Sequence, residues 1–207
     1  ELDGLLVEGI DGPLWSGNVI AAAQEPAPEA FSRIVVAVDP PVTGHAGSDD
    51  CGIVVVGAVT EGPPKDWKAW VLEDATVSAA HPAVWARAAV AAFHRHRADR
   101  IVAEVNQGGI LVETMLRLED PLVPCKSVHA SEGKVTRAEP VAALYEQGRV
   151  KHVRHLGDLE DQMRRMAVTG YQGRGSPDRV DALVWALTEL LIDPAKRVWR
   201  DPRLRFM

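Results

Sequence analysis

The sequence predicts an α/β domain built on a mixed sheet of five or more strands, with helices on both faces. Two observations support this prediction. Three apolar runs separated by turn-rich segments come first, which is typical of an antiparallel meander. Strand-like and helix-like segments then alternate, as in parallel strands joined by crossover helices. Of the 207 residues, 46% are hydrophobic and 25% are charged, which provides enough apolar material for a sizeable core.

The meander comprises RIVVAVD, which ends at Asp39, CGIVVVGAV, which starts at Cys51, and KAWVLEDATV, which starts at Lys68. The segment TEGPPKD between the second and third runs contains Gly and two prolines. It is short enough for an antiparallel hairpin.

The alternating part starts with a helix over residues 81–98 and continues with strand RIVAEVN, helix GGILVETMLRL, strand LVPCKSVHA and a helix around RAEPVAALYEQG. The segment RVKHVRH is ambiguous, and DLEDQMRRMAV is predicted to be helical. The closing helix SPDRVDALVWALTELLI is amphipathic, with Ser176 predicted as its N-cap and Pro177 as its first residue.

Residues 31–195 are predicted to form one domain. Residues 1–30 are rich in Gly, Pro and Ala and lack a sustained period, so they are predicted to lead into it. Residues 196–207 form a basic tail. No apolar run approaches the roughly 18 residues of a membrane span, so no membrane partner and an intracellular location are expected. The two cysteines have no CxxC spacing, which argues against a zinc site or a disulfide framework.

Carboxylates occupy comparable positions in three of these elements. Asp39 ends the first strand, Glu104 interrupts the fourth, and Asp178 opens the last helix, with Asp181 one turn further on. Buried strands favour uninterrupted apolar runs, so the strand acids require a partner. If the first and fourth strands are neighbours, all these carboxylates converge. Oxygen ligands without Cys or a convincing His favour Mg²⁺ or Mn²⁺. Two such ions about 3.5 to 4 Å apart would support phosphodiester hydrolysis.

Each acid also has a simpler explanation. Asp39 before two prolines is a typical turn residue. Asp178 is a favourable charge in a helix's first turn, and Asp181 one turn further on is equally compatible with a solvated acid or a ligand's neighbour. For Glu104 in mid-strand, a purely structural role would require a buried cation from the protein as its partner. The set therefore supports a metal site more strongly than any single member does.

The order of elements matches the ribonuclease H-like architecture, and the motifs resemble the nuclease domain of phage large terminase subunits, including those of gene transfer agents. The resemblance covers most of the chain and rests on GPLWSGNVI, RIVVAVDPPVTG, IVAEVNQGG, GKVTRAEPVAALYEQGRVKH and SPDRVDALVWALTEL.

The resemblance implies that Asp39, Glu104 and Asp178 are the catalytic, metal-binding acids, with Asp181 as a fourth candidate, and that two Mg²⁺ or Mn²⁺ ions are used. Many members have a longer acidic run, such as His-Asp-Asp, where this chain has Ser176, Pro177 and Asp178. The third position therefore stays open between Asp178 and Asp181. The resemblance also implies that residues 1–30 are a linker from an N-terminal ATPase domain. No GxxxxGK[ST] loop is present in the sequence, so ATP hydrolysis is not expected of it.

The segment 133–155 carries five Lys or Arg residues against two glutamates, in a chain whose net charge is −6. A locally basic segment in an acidic chain is a candidate surface for phosphates, although a solvated helix face has the same composition. The residues predicted to contact DNA are Lys134, Arg137, Arg149 and Lys151.

The expected function is that of a metal-dependent endonuclease that cuts double-stranded DNA concatemers with low sequence specificity during viral-type genome packaging. Its expected partners are double-stranded DNA, the ATPase domain, the portal and the small terminase subunit, in the cytoplasm of a bacterial host. One alternative is a Holliday-junction resolvase or RNA-strand nuclease of the same superfamily. Another is an inactive ribonuclease H-like module that binds DNA or a partner.

Overall fold

The computed structural model describes residues 12–41, 50–78, 81–105 and 109–200. Six strands form the main sheet in the order β5–β4–β1–β2–β3–β6. Their bounds are Arg33–Asp39 (β1), Gly52–Val59 (β2), Lys68–Asp74 (β3), Arg100–Glu104 (β4), Cys125–Val128 (β5) and Val150–His152 (β6). A separate hairpin consists of Met166–Ala167 (β7) and Gly170–Tyr171 (β8).

The helices are Gly17–Ala22 (α1), Pro82–His96 (α2), Gly109–Glu119 (α3), Lys134–Glu146 (α4), Gly157–Arg164 (α5), Asp178–Leu187 (α6) and Asp193–Arg200 (α7). A 3₁₀ turn at Pro64–Asp66 precedes β3, and a π-helical turn at Thr188–Ile192 joins α6 to α7. In the part of the chain that the structure describes, no helix has both the length and the apolar composition needed to cross a membrane.

The sheet combines the two predicted patterns. Strands β1, β2 and β3 form an antiparallel meander, and β4 and β5 run parallel to β1. The ambiguous segment RVKHVRH contains β6, which pairs parallel with β3 at the opposite edge of the sheet. The predicted mixed sheet of five or more strands is therefore confirmed.

Alternation along each strand produces two hydrophobic cores, one on each face of the sheet. Val35 and Ala37 belong to the core that the C-terminal helices cover, with contributions from α1, α4, α5 and α6. Val36 and Val38 belong to the opposite core, which packs under α2 and α3. The predicted arrangement of helices on both faces is thus present, and each strand residue is assigned to a face by its position.

Residues 12–24 pack against the first of these cores. Trp15 and Ile20 are fully buried, and the amide of Leu14 donates to the carbonyl of Met166 at 2.7 Å. The assignment of residues 1–30 to a linker and of residues 196–207 to a tail stays a prediction. Residues 1–11, 201–207 and 106–108, where the predicted fourth strand ends and the next helix begins, lie outside the described residues.

The start of the last helix differs from the prediction. Helix α6 begins at Asp178, and Pro177 occupies the N-cap position without a side-chain hydrogen bond. The Ser176 hydroxyl instead accepts a hydrogen bond from the Lys134 ammonium at 2.7 Å. The prediction that Ser176 caps this helix was wrong because the helix begins at Asp178, one residue later than predicted, so that Ser176 precedes the N-cap position.

A buried carboxylate joins the strands at the end of the sheet opposite Asp39. Glu189, 6% exposed, lies in the π-helical turn and contacts Arg33, Arg100 and Lys126 at 3.4, 3.2 and 2.5 Å. These cations come from β1, β4 and β5. One side chain of the C-terminal region therefore ties three adjacent strands together.

We expect Glu189→Gln to lower the free energy of unfolding by about 1–3 kcal/mol, measured by urea denaturation. Removing one partner of a fully buried ion pair costs about 3–5 kcal/mol, and the cost is smaller here because about a third of each cationic side chain stays in water. Glu113→Gln is the control, since Glu113 pairs with Arg117 in an exposed contact along one helix. It should change stability by less than about 0.5 kcal/mol. Equal effects of the two changes would contradict the role of Glu189.

Candidate metal centre

Asp39 and Glu104 end two adjacent parallel strands. Asp39 is the last residue of β1, and Glu104 is the last residue of β4, which pairs with β1. Asp39 lies two residues after Ala37 and four after Val35, and alternate residues of a strand share a face. Its side chain therefore projects toward the face covered by α6. Glu104 projects to the same face because it lies two residues after Val102.

Helix α6 brings the remaining acids across this edge of the sheet. Carboxylate oxygens of Asp39, Asp178 and Asp181 all lie within 4.8 Å of one another. Glu104 and Asp178 are 5% exposed, and Asp181 is 2% exposed. The four acids predicted from the sequence therefore occupy one largely buried region, and three of them form a compact oxygen cluster.

The electrostatics of the cluster are unfavourable without a cation. Burial raises the pKa of Asp39 well above its usual value, and the nearby carboxylates of Asp181, Glu104 and Asp178 raise it further. Burial also raises the pKa of Asp181, although Lys134 and Arg137 oppose this shift. The clustered carboxylates therefore repel one another in a poorly solvated place.

Close approach of α6 depends on a glycine in β2. Gly52 is the register partner of Asp39, and a Cβ placed on Gly52 would lie 2.0 Å from the carbonyl oxygen of Asp178. No side chain fits in that space. Glycine at this position therefore allows the first turn of α6 to lie directly over the end of β1.

Two cations from α4 contact the acids. The Lys134 ammonium lies 2.6 Å from Oδ2 of Asp181. Burial disfavours its charged form, but the carboxylates of Asp181, Asp39 and Asp178 outweigh this effect and raise the pKa of Lys134. If all four acids are ionised, their negative charges outnumber the two cations.

Arg137 lies deeper than Lys134. Its guanidinium contacts Glu104 at 3.3 Å and Asp181 at 3.5 Å, and it stacks 4.8 Å from the centroid of the Trp185 ring. The Trp185 indole N–H donates a hydrogen bond to Glu104. The Nε atom of Arg137 is buried and has no hydrogen-bond partner among the described residues. Arg137 and Trp185 therefore fix the carboxylate of Glu104 at the edge of the aspartate cluster.

The residues present fit a hard divalent cation. Aspartate oxygens are the ligands that Mg²⁺ and Mn²⁺ prefer, and neither Cys nor His belongs to the cluster in the described part of the chain. A divalent ion would also compensate the repulsion that raises the pKa of Asp39. Asp39, Asp178 and Asp181 are the residues that would hold it, with Glu104 beside them.

The structure does not bring Arg149 and Lys151 to this region. They lie at the start of β6, three strands from β1, a distance of about 14 Å across the sheet. They are also nearer the opposite end of the strands, because β6 and β3 run in the same direction as β1. Arg149 donates to the carbonyls of Trp67 and Pro64, and Lys151 contacts Glu25 at 3.2 Å.

Gly52 and Trp185 were not among the site residues predicted from the sequence. A signal existed for each. An isolated glycine in a strand often marks close approach of another backbone. Trp185 follows Asp178 and Asp181 at spacings that place all three on one face of a helix.

The mixed sheet, its helices on both faces and the acids at the ends of β1 and β4 define a ribonuclease H-like domain. The sequence model described as "Terminase RNaseH-like domain" matches residues 36–190, and the chain belongs to this family. A comparison with curated protein sequences gives no match.

Solved structures agree on the fold. The large terminase nuclease from thermophilic phage G20c has a TM-score of 0.60 at 14% identity, over 86% of this chain and 99% of that chain. The nuclease domain of the large terminase subunit of bacterial virus Sf6, solved with manganese, has a TM-score of 0.61 at 12% identity, over 84% and 98%. The HK97 bacteriophage large terminase has a TM-score of 0.57 at 12% identity, over 86% of this chain and 43% of that chain.

Proposed function

We propose that this domain is a metal-dependent endonuclease that cuts double-stranded DNA with low sequence specificity during viral-type genome packaging, by phosphodiester hydrolysis with two Mg²⁺ or Mn²⁺ ions. The observation that carries the proposal is the cluster formed by Asp39, Asp178 and Asp181, whose oxygens lie within 4.8 Å of one another. Membership of the terminase family supports it. Related nuclease domains have been solved with magnesium and with manganese.

The acids and the cations of the centre have different proposed roles. Asp39, Asp178 and Asp181 hold the ions, and Glu104 contributes the fourth carboxylate. Bound ions would lower the pKa of water and stabilise charge on the attacking and leaving oxygens. Arg137, held between Glu104 and Asp181, places a fixed positive charge beside the position of a DNA phosphate. Lys134, with 44% of its side chain exposed, is proposed to contact the DNA backbone.

The proposed partners follow from the family. HK97 large terminase is more than twice as long as the part that this chain matches, which supports association with an N-terminal ATPase domain. Double-stranded DNA, the portal and the small terminase subunit are the other proposed partners, in the cytoplasm of a bacterial host. Low sequence specificity is proposed because metal ions held by the acids, together with the cations described above, would engage the phosphate backbone and not the base edges.

Incubation of supercoiled plasmid with the protein and Mg²⁺ or Mn²⁺ tests the proposal. We expect nicked and linear products with metal, none with EDTA, and no dominant cleavage site when the products are sequenced. Persistent absence of cleavage with either metal would refute the endonuclease assignment. It would favour instead a module that binds DNA or a partner, with salt-sensitive binding that no metal affects.

The same preparation separates the nuclease alternatives. A linear duplex, a four-way junction and an RNA–DNA hybrid are compared at equal concentration. Preferential cutting of the duplex supports the packaging nuclease. Preference for the junction would indicate a resolvase, and preference for the hybrid would indicate an RNA-strand nuclease.

Lys134→Ala and Arg149→Ala form a matched pair for the DNA interface. We expect Lys134→Ala to weaken binding of all duplex sequences to a similar degree and to reduce the slope of log K against log salt by about 1, as for loss of one phosphate contact. Arg149→Ala should leave DNA affinity unchanged because its guanidinium binds backbone carbonyls beside β3. Fluorescence anisotropy in EDTA measures binding without cleavage. A larger effect of Arg149→Ala would place the DNA on the opposite edge of the sheet.

A further inference from the structure

The first turn of α6 lacks the usual local cap. A helix begins with backbone N–H groups that have no partner within the helix, and a side chain at the N-cap normally accepts from one of them. Pro177 occupies that position and has no such acceptor. The side-chain oxygen Oε1 of Gln162 in α5 accepts instead, from the N–H of Arg179 at 3.0 Å and from that of Val180 at 3.4 Å.

This contact holds the peptide group next to a candidate metal ligand. The N–H of Arg179 and the carbonyl of Asp178 belong to the same planar peptide unit. Gln162 binds the N–H, and the carbonyl oxygen lies against Gly52, where a Cβ would approach to 2.0 Å. The peptide unit that follows Asp178 is therefore fixed on both sides.

The Arg179 side chain fixes the same turn to the sheet. Its guanidinium contacts Asp50 at 2.8 Å and Asp74 at 2.9 Å, near the start of β2 and at the end of β3. Burial opposes the charged form, but Asp74 and Asp50 outweigh this and raise the pKa of Arg179. The first turn of α6 is thus held by Gln162 of α5 and, through the Arg179 side chain, by Asp50 and Asp74.

Helix α5 is itself firmly anchored next to Gln162. Glu160, 2% exposed, accepts from the Leu156 amide at 3.1 Å and from the Gln24 side chain at 3.0 Å, and it contacts fully buried His152 at 3.0 Å. A side chain that projects from such a helix has a defined position. Gln162 therefore projects from an anchored helix toward the first turn of α6.

We propose that Gln162 is a positioning residue that holds the first turn of α6 so that Asp178 and Asp181 converge with Asp39 on a divalent cation. This role rests on the proposed metal-dependent function, but it concerns metal affinity before any DNA is bound. Partners that orient metal ligands typically change metal affinity or activity by about 10–100-fold when they are replaced. A cap with only a structural role would alter stability and leave metal affinity unchanged.

The test uses two replacements of matched size. Gln162→Met keeps the shape but removes the acceptor, whereas Gln162→Glu keeps an acceptor and places a negative charge at a helix N-terminus, which is favourable. Mn²⁺ binding to the DNA-free protein is measured by isothermal titration calorimetry, and urea denaturation reports stability. Gln172→Met is the control, because Gln172 is exposed and, among the described residues, its side chain bonds only to Thr169 and Gly170 nearby.

We expect Gln162→Met to raise the Kd for Mn²⁺ by about tenfold or more, with Gln162→Glu and Gln172→Met within about threefold of wild type. Unchanged Mn²⁺ affinity in Gln162→Met would overturn the positioning role. If Gln162→Met does not fold, Gln162→Ala, which also removes the acceptor, decides, and unchanged Mn²⁺ affinity in that variant would overturn the role. Wild-type protein that binds Mn²⁺ but does not cut DNA would refute the nuclease while leaving this result valid. Wild-type protein that binds no Mn²⁺ would refute both.

Discussion

Asp39→Asn is expected to abolish DNA cleavage and, at the same time, to stabilise the metal-free protein. Cleavage should fall by about a thousandfold or more, which corresponds to a loss of about 4 kcal/mol in transition-state stabilisation, within the range that a bound metal ion supplies. Stability should rise because the substitution removes a buried charge that three other acids surround. An increase of about 1 kcal/mol would raise Tm by about 2–4 °C in a domain of this size.

The difference in stability between Asp39→Asn and wild type should depend on pH, and the direction of this dependence follows from the pKa of Asp39. The folded-state pKa of Asp39 is raised, so the folded protein holds its proton more tightly than the unfolded chain does. The corresponding contribution to stability is complete below the unfolded pKa of about 3.9 and is lost as pH rises through the folded pKa. Measured in EDTA, the stability advantage of Asp39→Asn over wild type should therefore increase as pH rises through this window.

Asp161→Asn is the control for Asp39→Asn. Asp161 is 62% exposed at its side chain and pairs with Arg164 on the same helix. It should change neither cleavage nor the pH dependence of stability by a measurable amount.

The effect of Mn²⁺ on thermal stability also distinguishes Asp39→Asn from wild type. Mn²⁺ should raise the Tm of wild type and not that of Asp39→Asn. If Asp39→Asn were less stable than wild type in EDTA, the carboxylate would instead have a structural role.

Gly52→Ala is expected to disable the metal centre although it replaces none of the candidate metal ligands. The new Cβ would meet the carbonyl of Asp178 at 2.0 Å, and neither the Cβ nor the peptide carbonyl can rotate away, so α6 must move away from β2. A displacement of about 1 Å at a reacting centre can cost about 10²-fold in rate. We expect cleavage to fall by at least this factor and Mn²⁺ affinity to fall with it. Overpacking should also cost about 1–3 kcal/mol of stability.

Gly57→Ala is a matched control in the same strand. Its Cβ would meet the ring of Phe31 at 2.7 Å, so a side chain and not a helix backbone would have to move. We expect a similar loss of stability, measured by urea denaturation, with Mn²⁺ affinity and cleavage close to wild type. Equal losses of metal affinity in the two variants would show that general destabilisation, and not the position of α6, explains the effect of Gly52→Ala.

Local sequence patterns predicted the sheet and the candidate acids well, for physical reasons. Buried strands produce apolar runs that can be read directly, and a carboxylate within such a run, as at Glu104, is costly unless something compensates it. The sequence left the adjacency of β1 and β4 as a condition, and the strand order of the sheet shows that it holds. Convergence of Asp39, Glu104, Asp178 and Asp181 then followed from topology, because the ends of parallel neighbours meet at one edge.

Features that depend on distant partners were not predictable in the same way. Ser176 has the chemistry of an N-cap, but Lys134 binds its hydroxyl. Strand β6 has only three residues, too few for a periodic signal. The charge pattern that selected Arg149 and Lys151 together with Lys134 contains no information on which end of the sheet each residue reaches. Gln162 caps a helix that begins 16 residues after it, a contact that only the folded chain reveals.

The candidate metal centre joins residues from both ends of the domain, which constrains the order of events during folding. Strand β1 supplies Asp39 early in the chain, whereas α6 supplies Asp178 and Asp181 near the end, and Glu189 bonds to Arg33 across 156 positions. Contacts of such long sequence separation form late and slowly because of the entropy of loop closure. A nascent chain without α6 would lack two of the aspartates, so the centre can assemble only after nearly the whole domain has been synthesised.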